Sequence, residues 1–311
     1  MPDRIVYNEL SSIELDLGFT AQQLYAVSNS LHRQYRQVKL PKANGGYRTL
    51  SIPSPLLKAI QRRITTVLLA QEPVSPYATA YRYGGGPLRN ARQHVGRQMV
   101  VKLDIRGFFD HILYSDVKDA AFPADRYAEP LRVLLAMLCY YGDSLPQGAP
   151  TSPAISNIVL RSFDDAVGAW CRAHGIVYTR YCDDMTFSGP PEVTEVIPFV
   201  QAQLEQRGFY LNRRKMVVAH RGCKQTVTGL VVNRRLNVPA GYRKKLRQEL
   251  YYCRKFGLVQ HLAHIGDTTP PMTYARRLLG RVNYVLAVSP DREEFREYRH
   301  YLTEWCQTYT E

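Results

Sequence analysis

The residues of this chain best suited to chemistry are three aspartates: Asp104, which closes an apolar run, and the adjacent pair Asp183 and Asp184. Hard divalent cations such as Mg²⁺ take oxygen ligands, and carboxylates supply both the oxygen and the charge. Two such ions about 3.5–4 Å apart can activate a hydroxyl, hold a phosphate chain in line and neutralise a leaving group. Each aspartate also has an ordinary reading. An Asp-Asp at a hairpin turn is usually solvated turn chemistry, and an Asp at a strand end is more often a cap or an ion-pair partner. Placement argues for more, since a carboxylate ending a buried strand is costly unless it is paired or metal-bound.

The segments around them must bring these groups together. "RQMVVKLDIRGFF" reads as a strand whose β-branched centre ends at Asp104, and "IVYTRYCDDMTFSG" as strand, turn, strand, with Asp183 and Asp184 at the turn between Tyr181 and Phe187. Laid side by side in one sheet, these strands would make the carboxylates converge. Upstream, the first ~35 residues read as helical. "VKLPKANGGYRTLSIPSP" reads as a β-hairpin, and Leu56–Gln71 as a helix. "TSPAISNIVLRSFDDAVGAWCRAHG" predicts one long helix opening on a Thr-Ser-Pro cap. Short strands follow between Phe209 and Asn237. From Gly241 onward the pattern is helical, interrupted at "GDTTPPM" and "SPDREE". The class expected is α+β, with a mixed body over 1–240 (its strands near 98–110 and 176–237) and a helical C-terminal domain over 241–311.

Composition narrows the partners. The chain has 311 residues, with 41 Lys and Arg against 27 Asp and Glu, a formal charge of +14. That excess favours a polyanion, because phosphate contacts release condensed counterions; a merely basic soluble enzyme is the plain alternative. No apolar run approaches the ~20 residues of a membrane span, so no membrane partner is expected. The opening "MPDRIVYNELSSIELDLGF" lacks an apolar signal region, and the six cysteines are scattered without zinc spacing. Both point to reduced thiols in a cytoplasmic protein.

Three strings together resemble the reverse transcriptase family. "YCDD" (Tyr181–Asp184) fits its Y-x-D-D box, "DIRGFF" (Asp104–Phe109) its upstream metal-ligand strand, and "LPQGAPTSP" (Leu145–Pro153) its L-P-Q-G-x-P-x-S-P segment. They occur in family order, and the resemblance spans roughly residues 40–235. It implies a right-hand polymerase fold of fingers, palm and helical thumb. It also implies RNA-directed DNA synthesis with two Mg²⁺ ions, held chiefly by Asp104 and Asp183 with Asp184 assisting. By the same resemblance Phe109 would lie under the incoming sugar and exclude a 2′-hydroxyl, the alternative being a core ring. Gln147 and Gly148 would let the backbone approach the nascent base pair. Lys42 and Arg48, flanking the "ANGG" turn, would grip the deoxynucleoside triphosphate. Lys215, in "LNRRKMVV", resembles a lysine proposed to protonate leaving pyrophosphate, with backbone binding as a competitor.

Two further strings resemble the bacterial retron branch: "NARQH" (Asn90–His94) and "VTG" (Val227–Gly229). Retron enzymes commonly have Ala where this chain has Cys182, a small side chain of similar packing character. The branch implies binding of one structured non-coding RNA, priming from a 2′-hydroxyl of that RNA, and a single-stranded DNA product joined to it. It further implies anti-phage defence with an effector protein. RNA contacts are expected from Asn90 and His94 and from the thumb helix "GYRKKLRQELYYCRKFG", through Arg243, Lys244, Lys245, Arg247, Tyr251, Arg254 and Lys255. A solvated basic face is the alternative for that helix. The competing functions are another bacterial reverse transcriptase, such as a group II intron-like protein, and a non-catalytic RNA-binding scaffold controlling an effector.

Overall fold

The structure, a computed structural model, describes residues 5–42 and 45–308. The chain forms two compact units, one of residues 1–86 and 100–218 and one of residues 87–99 and 219–311. Residues 219–239, expected with the palm, therefore cluster with the C-terminal helices, and so does 87–99.

The first unit opens on short helices, Leu10–Leu17, Ala21–Ser28 and Leu31–Gln34. Thr20 and Gln23 close a capping box on the second. Then come β1 (Tyr35–Pro41) and β2 (Tyr47–Pro53), an antiparallel hairpin pairing Lys39 with Thr49 and Leu40 with Arg48. Gly45 and Gly46 both take positive φ at its turn, which side chains resist. Ala43 and Asn44, which open the expected "ANGG" turn, lie outside the described residues.

Ser54 caps the next helix, Pro55–Arg63, with Pro in its first turn. The chain then widens into a π-helical stretch at Ile64–Leu68 and tightens again at Leu69–Gln71. The predicted helix is thus present but changes pitch. There the hydroxyls of Thr65 and Thr66 donate to the carbonyls of Gln61 and Arg62, a back-bonding that loosens a helix. The long helix expected from Thr151 is two helices, Ser152–Val159 and Arg161–Ala173, broken at Leu160. Thr151 makes no side-chain cap bond.

The sheet that matters is four-stranded: β3 (Met99–Asp104), β4 (Val177–Tyr181), β5 (Asp184–Gly189) and β6 (Val217–His220), in the order β4-β5-β3-β6. Val100, Val101 and Leu103 of β3 and Met185 and Phe187 of β5 are buried, anchoring both strands to the core. Strand β4 runs antiparallel to β5, with Tyr181 opposite Asp184. Only Cys182 and Asp183 remain for the turn.

In the second unit, β7 (Thr226–Val227) and β8 (Leu230–Val231) form a tight hairpin. Four helices follow: Ala240–Phe256, Leu258–Ile265, Pro271–Val288 and Glu293–Thr308. The breaks between the last three fall where "GDTTPPM" and "SPDREE" predict them. Leu246, Leu250 and Cys253 on the first of these helices are buried, as are Leu278, Val282 and Val285 on the third and Phe295 and Leu302 on the fourth. That is a helical core of its own.

Candidate active site

Order in the sheet puts Asp104, at the end of β3, beside the β4–β5 turn. Asp183 and Asp184 join it so that one carboxylate oxygen of each of the three lies within 4.8 Å of the others. The peptide NH of Ile105 donates to the carbonyl of Asp183 (3.1 Å), fastening the turn to the strand end. Asp104 is buried, Asp183 half-buried and Asp184 exposed.

Two side chains hold Asp104 in place. Asn212 Nδ2 donates to Oδ1 at 2.9 Å, and Lys215 Nζ donates to Oδ2 at 2.7 Å. The bond to Asp104 raises the Lys215 pKa, so the amine stays charged. Burial, and then repulsion from its neighbours, pushes the Asp184 carboxyl up to about 6; burial and Asp104 raise Asp183 in the same direction. Three oxygen-donor acids crowded until two resist ionisation fit a divalent cation, which removes the repulsion that raises them.

The turn itself depends on groups that sequence reasoning passed over. Cys182 has φ 61°, a left-handed conformation that side chains other than Gly enter at a cost. Its carbonyl accepts from Arg180 Nη1 at 2.9 Å, and Arg180 makes a two-pronged bond to Asp164 (Nε to Oδ1 2.8 Å, Nη2 to Oδ2 2.6 Å). Tyr178 donates to the same carboxylate at 2.7 Å. Arg180 and Asp164 are fully buried. Above the turn, the Tyr81 hydroxyl meets Cys182 Sγ at 3.4 Å. Burial, helped by Asp183, pushes that thiol up to about 11, so it is a neutral packing group. The only sequence signals were a charged Arg inside an apolar strand and an Asp inside a helix.

The remaining expected residues divide. Phe109 is partly exposed beside buried Phe108, and its carbonyl accepts from Leu145, which ties "DIRGFF" to "LPQG". Gln147 is half-buried, and its carbonyl accepts from the Ser51 NH at 2.8 Å. Gly148 has φ 115°, and a Cβ there would sit 2.9 Å from the Ser51 carbonyl. The hairpin β1–β2 is thereby a structural reason for this glycine, independent of any base pair. Lys42 and Arg48 are exposed near the hairpin tip and make no ion pair among the described residues.

Asn90 and His94 lie in the second unit and are buried, 1 % and 0 % exposed. Direct RNA contact by these side chains does not fit that burial, and the expectation is corrected to an internal, structural position. Burial, with Arg97 adding to it, pushes His94 down to about 3, so it is neutral. The helix that carries Asn90, Pro87–Arg92, packs on β7 and β8, with His94 in the turn after it, and the Thr228 hydroxyl donates to the Pro87 carbonyl at 2.8 Å. "NARQH" and "VTG" are thus two halves of one packed element.

On the Ala240–Phe256 helix, Lys244, Lys245, Tyr251, Arg254 and Lys255 are exposed and Arg243 is half-buried. Arg247 is bound through Nε and Nη2 to Glu294, so it is not a spare cation, whereas Arg254 meets Glu297 at 3.5 Å with both side chains largely exposed. Arg243 donates to the Val238 carbonyl. Lys244, Gln248, Tyr251 and Lys255, spaced i, i+4, i+7 and i+11, fall on one line along the helix.

Comparison with known proteins agrees with the carboxylate geometry. A family model for reverse transcriptase (RNA-dependent DNA polymerase) matches residues 40–249. This chain belongs to the reverse transcriptase family. Its α+β body is accordingly the family's right-hand polymerase fold. A retron reverse transcriptase of Myxococcus xanthus, Mx65, is 33 % identical over 293 residues, covering 85 % of this chain and 65 % of its own length. A second from that organism, Mx162, is 34 % identical over 223 residues, covering 62 % of this chain and 46 % of its own. The chain therefore spans about half to two thirds of the length of these relatives. Both bear out the resemblance to retron reverse transcriptases. A telomerase structure from Candida albicans, in complex with a fragment of telomeric RNA, has a TM-score of 0.48 at 10 % identity over 92 % of this chain and 68 % of that one. No helix among the described residues is long and apolar enough to cross a membrane.

Proposed function

We propose that this protein is a cytoplasmic retron reverse transcriptase. On this reading it copies part of one structured non-coding RNA into single-stranded DNA, primed from a 2′-hydroxyl of that RNA, and works with an effector protein in anti-phage defence. The observation that carries the polymerase reading is the meeting of Asp104, Asp183 and Asp184 with Lys215 bound to Asp104. Two Mg²⁺ ions held there would supply hydroxyl activation and charge neutralisation for nucleotidyl transfer.

The chain's own groups do the positioning. Asp104 and Asp183, flanking the junction of β3 with the turn, are the shared ligands, and the more exposed Asp184 assists. Lys215 stays protonated through its contact with Asp104 and stands ready to give a proton to leaving pyrophosphate. Phe109 discriminates against the 2′-hydroxyl of ribonucleotides by its bulk. Gln147 and Gly148 shape the floor under the nascent base pair, and Lys42 and Arg48 hold the triphosphate of the deoxynucleotide. Along the Ala240–Phe256 helix, Lys244, Lys245 and Lys255 contact RNA phosphates and Tyr251 stacks on ribose or base.

The test is the nucleic acid recovered from cells expressing the gene with its native flanking sequence, beside an Asp183→Asn variant. A DNA band that runs faster after RNase and is missing from the variant is the expected result. Its absence, with purified protein still extending a primer on RNA, would retain the polymerase and point to a group II intron-like enzyme. Product made equally by the variant would sink the metal assignment, and RNA binding with no synthesis by the wild type would leave an RNA-binding scaffold.

A further inference from the structure

Next to the carboxylates the first unit has an open cleft of about 880 Å³, within the size range of small-molecule sites. Its wall carries Arg106, Arg213 and Arg214 against one carboxylate, Glu205. Gln201 donates to Glu205 and accepts from Arg213, so the acid is not spent on a guanidinium. Arg106 and Arg214 make no ion pair among the described residues. Cations gathered in one concavity repel each other unless an anion of several charges joins them, and the guanidinium fork matches phosphate oxygens. The half-exposed ring of Tyr210 lies on the same wall, with His111 edge-on at 6.0 Å.

The wall is laced to the metal-ligand strand. Arg106 donates its NH to the Tyr210 carbonyl, Ile105 bridges Leu211, and Asn212 donates its NH to the Asp104 carbonyl. Asn212 therefore lines the cleft and holds Asp104 Oδ1 at the same time.

We propose that this cleft is a second nucleotide site, taking the polyphosphate of a nucleoside triphosphate outside the position of transfer. It rests on the polymerase reading only for its use, not for its chemistry. Arg106 and Arg214 bind the phosphates, Tyr210 stacks on the base, and Asn212 conveys occupancy to Asp104. Leaving pyrophosphate presents the same phosphate chemistry. A nucleic-acid backbone fits less well, since it offers single charges spread along an open surface rather than several at one point.

The test is equilibrium dialysis of the full chain with labelled dATP in EDTA, where the unscreened carboxylates repel triphosphate from the transfer position. The readout is binding without metal, so it is independent of polymerase activity. Arg106→Gln with Arg214→Gln should weaken binding at least tenfold, and inorganic tripolyphosphate should displace dATP. Tyr210→Ala should weaken dATP but not tripolyphosphate; equal affinity of wild type and Tyr210→Ala for dATP would assign the cleft to polyphosphate alone, with pyrophosphate as its source, and remove the nucleotide. Circular dichroism of each variant separates loss of binding from loss of fold. No metal-free binding by wild type, or undiminished binding by the folded double variant, overturns the site. A double variant that loses RNA affinity while keeping dATP gives the cleft to nucleic acid instead.

Discussion

At the carboxylates, chemistry and stability pull in opposite directions. Asp184 is pushed up to about 6 and Asp183 is raised, each first by burial and then by a neighbouring aspartate. A carboxyl raised above its unfolded value makes the folded state bind more protons, so metal-free stability falls as pH rises from about 4 through 6. A bound cation reverses this by favouring the ionised forms. Magnesium affinity should accordingly be nearly flat above pH 7 and weaken by about tenfold per unit once pH drops below the Asp184 value, one proton being displaced per ion. Calorimetric titration at pH 5 and 7.5 measures it, and Asp184→Asn should flatten the profile; a wild-type affinity equal at both pH values would mean the carboxylates do not act together. For the nearby ring, Phe109→Ala should raise the ratio of kcat/KM for ribonucleotides over deoxynucleotides at least tenfold, about 1.4 kcal/mol. An unchanged ratio would return Phe109 to a packing role.

At the element scale, the β4–β5 turn is held from behind. Arg180 and Asp164 form a buried pair, and Arg180 passes the constraint on to the Cys182 carbonyl. Removing one partner of such a pair leaves a buried charge, so Asp164→Ala should destabilise the protein by about 3–5 kcal/mol in urea unfolding. A loss under 1 kcal/mol would mean that water or Tyr178 compensates. The boxes around this clamp were legible in the sequence because they lie in short contiguous strings whose residue types are dictated by ligand chemistry. Strand β3 was legible from its β-branched centre, and the hairpin β4–β5 from its strand–turn–strand pattern. The clamp was not, since its partners sit 16 residues apart on a helix and a strand, and neither residue type is unusual alone. Asn212 and Tyr81 escaped for the same reason: the side chain of each acts on one residue of a distant segment. The thumb helix shows the converse. Its cations were all legible, but only the partner helix decides that Arg247 is bound by Glu294. Lys244→Gln, Lys245→Gln and Lys255→Gln together should therefore lower the salt slope of RNA binding by about 0.7–0.9 for each phosphate no longer neutralised. Arg247→Gln should act mainly on stability.

Across the whole molecule, the helical unit is completed by a segment from far upstream. Residues 87–99 join it, the Pro87–Arg92 helix packs on the β7–β8 hairpin, and Thr228 is bonded to Pro87. Sequence proximity placed 87–99 with the palm strand it precedes, whereas Asn90 and His94 are buried in the helical unit. His94, pushed down to about 3 by burial, remains neutral in the folded unit while the unfolded chain takes up a proton near 6.5. A depressed folded pKa means stability that is complete above 6.5 and lost as pH falls toward 3. The effect is opposite in sign to that of the raised carboxylates and resides in the other unit. Hydrogen exchange read by segment should thus show protection of 87–99 and of the β7–β8 hairpin falling between pH 7 and 4.5, while the metal-free carboxylate region gains protection. His94→Gln is expected to lower protection of the helical unit at pH 7 yet flatten its pH dependence. Equal pH slopes in the wild type and the variant would show that His94 takes up its proton without opening the unit.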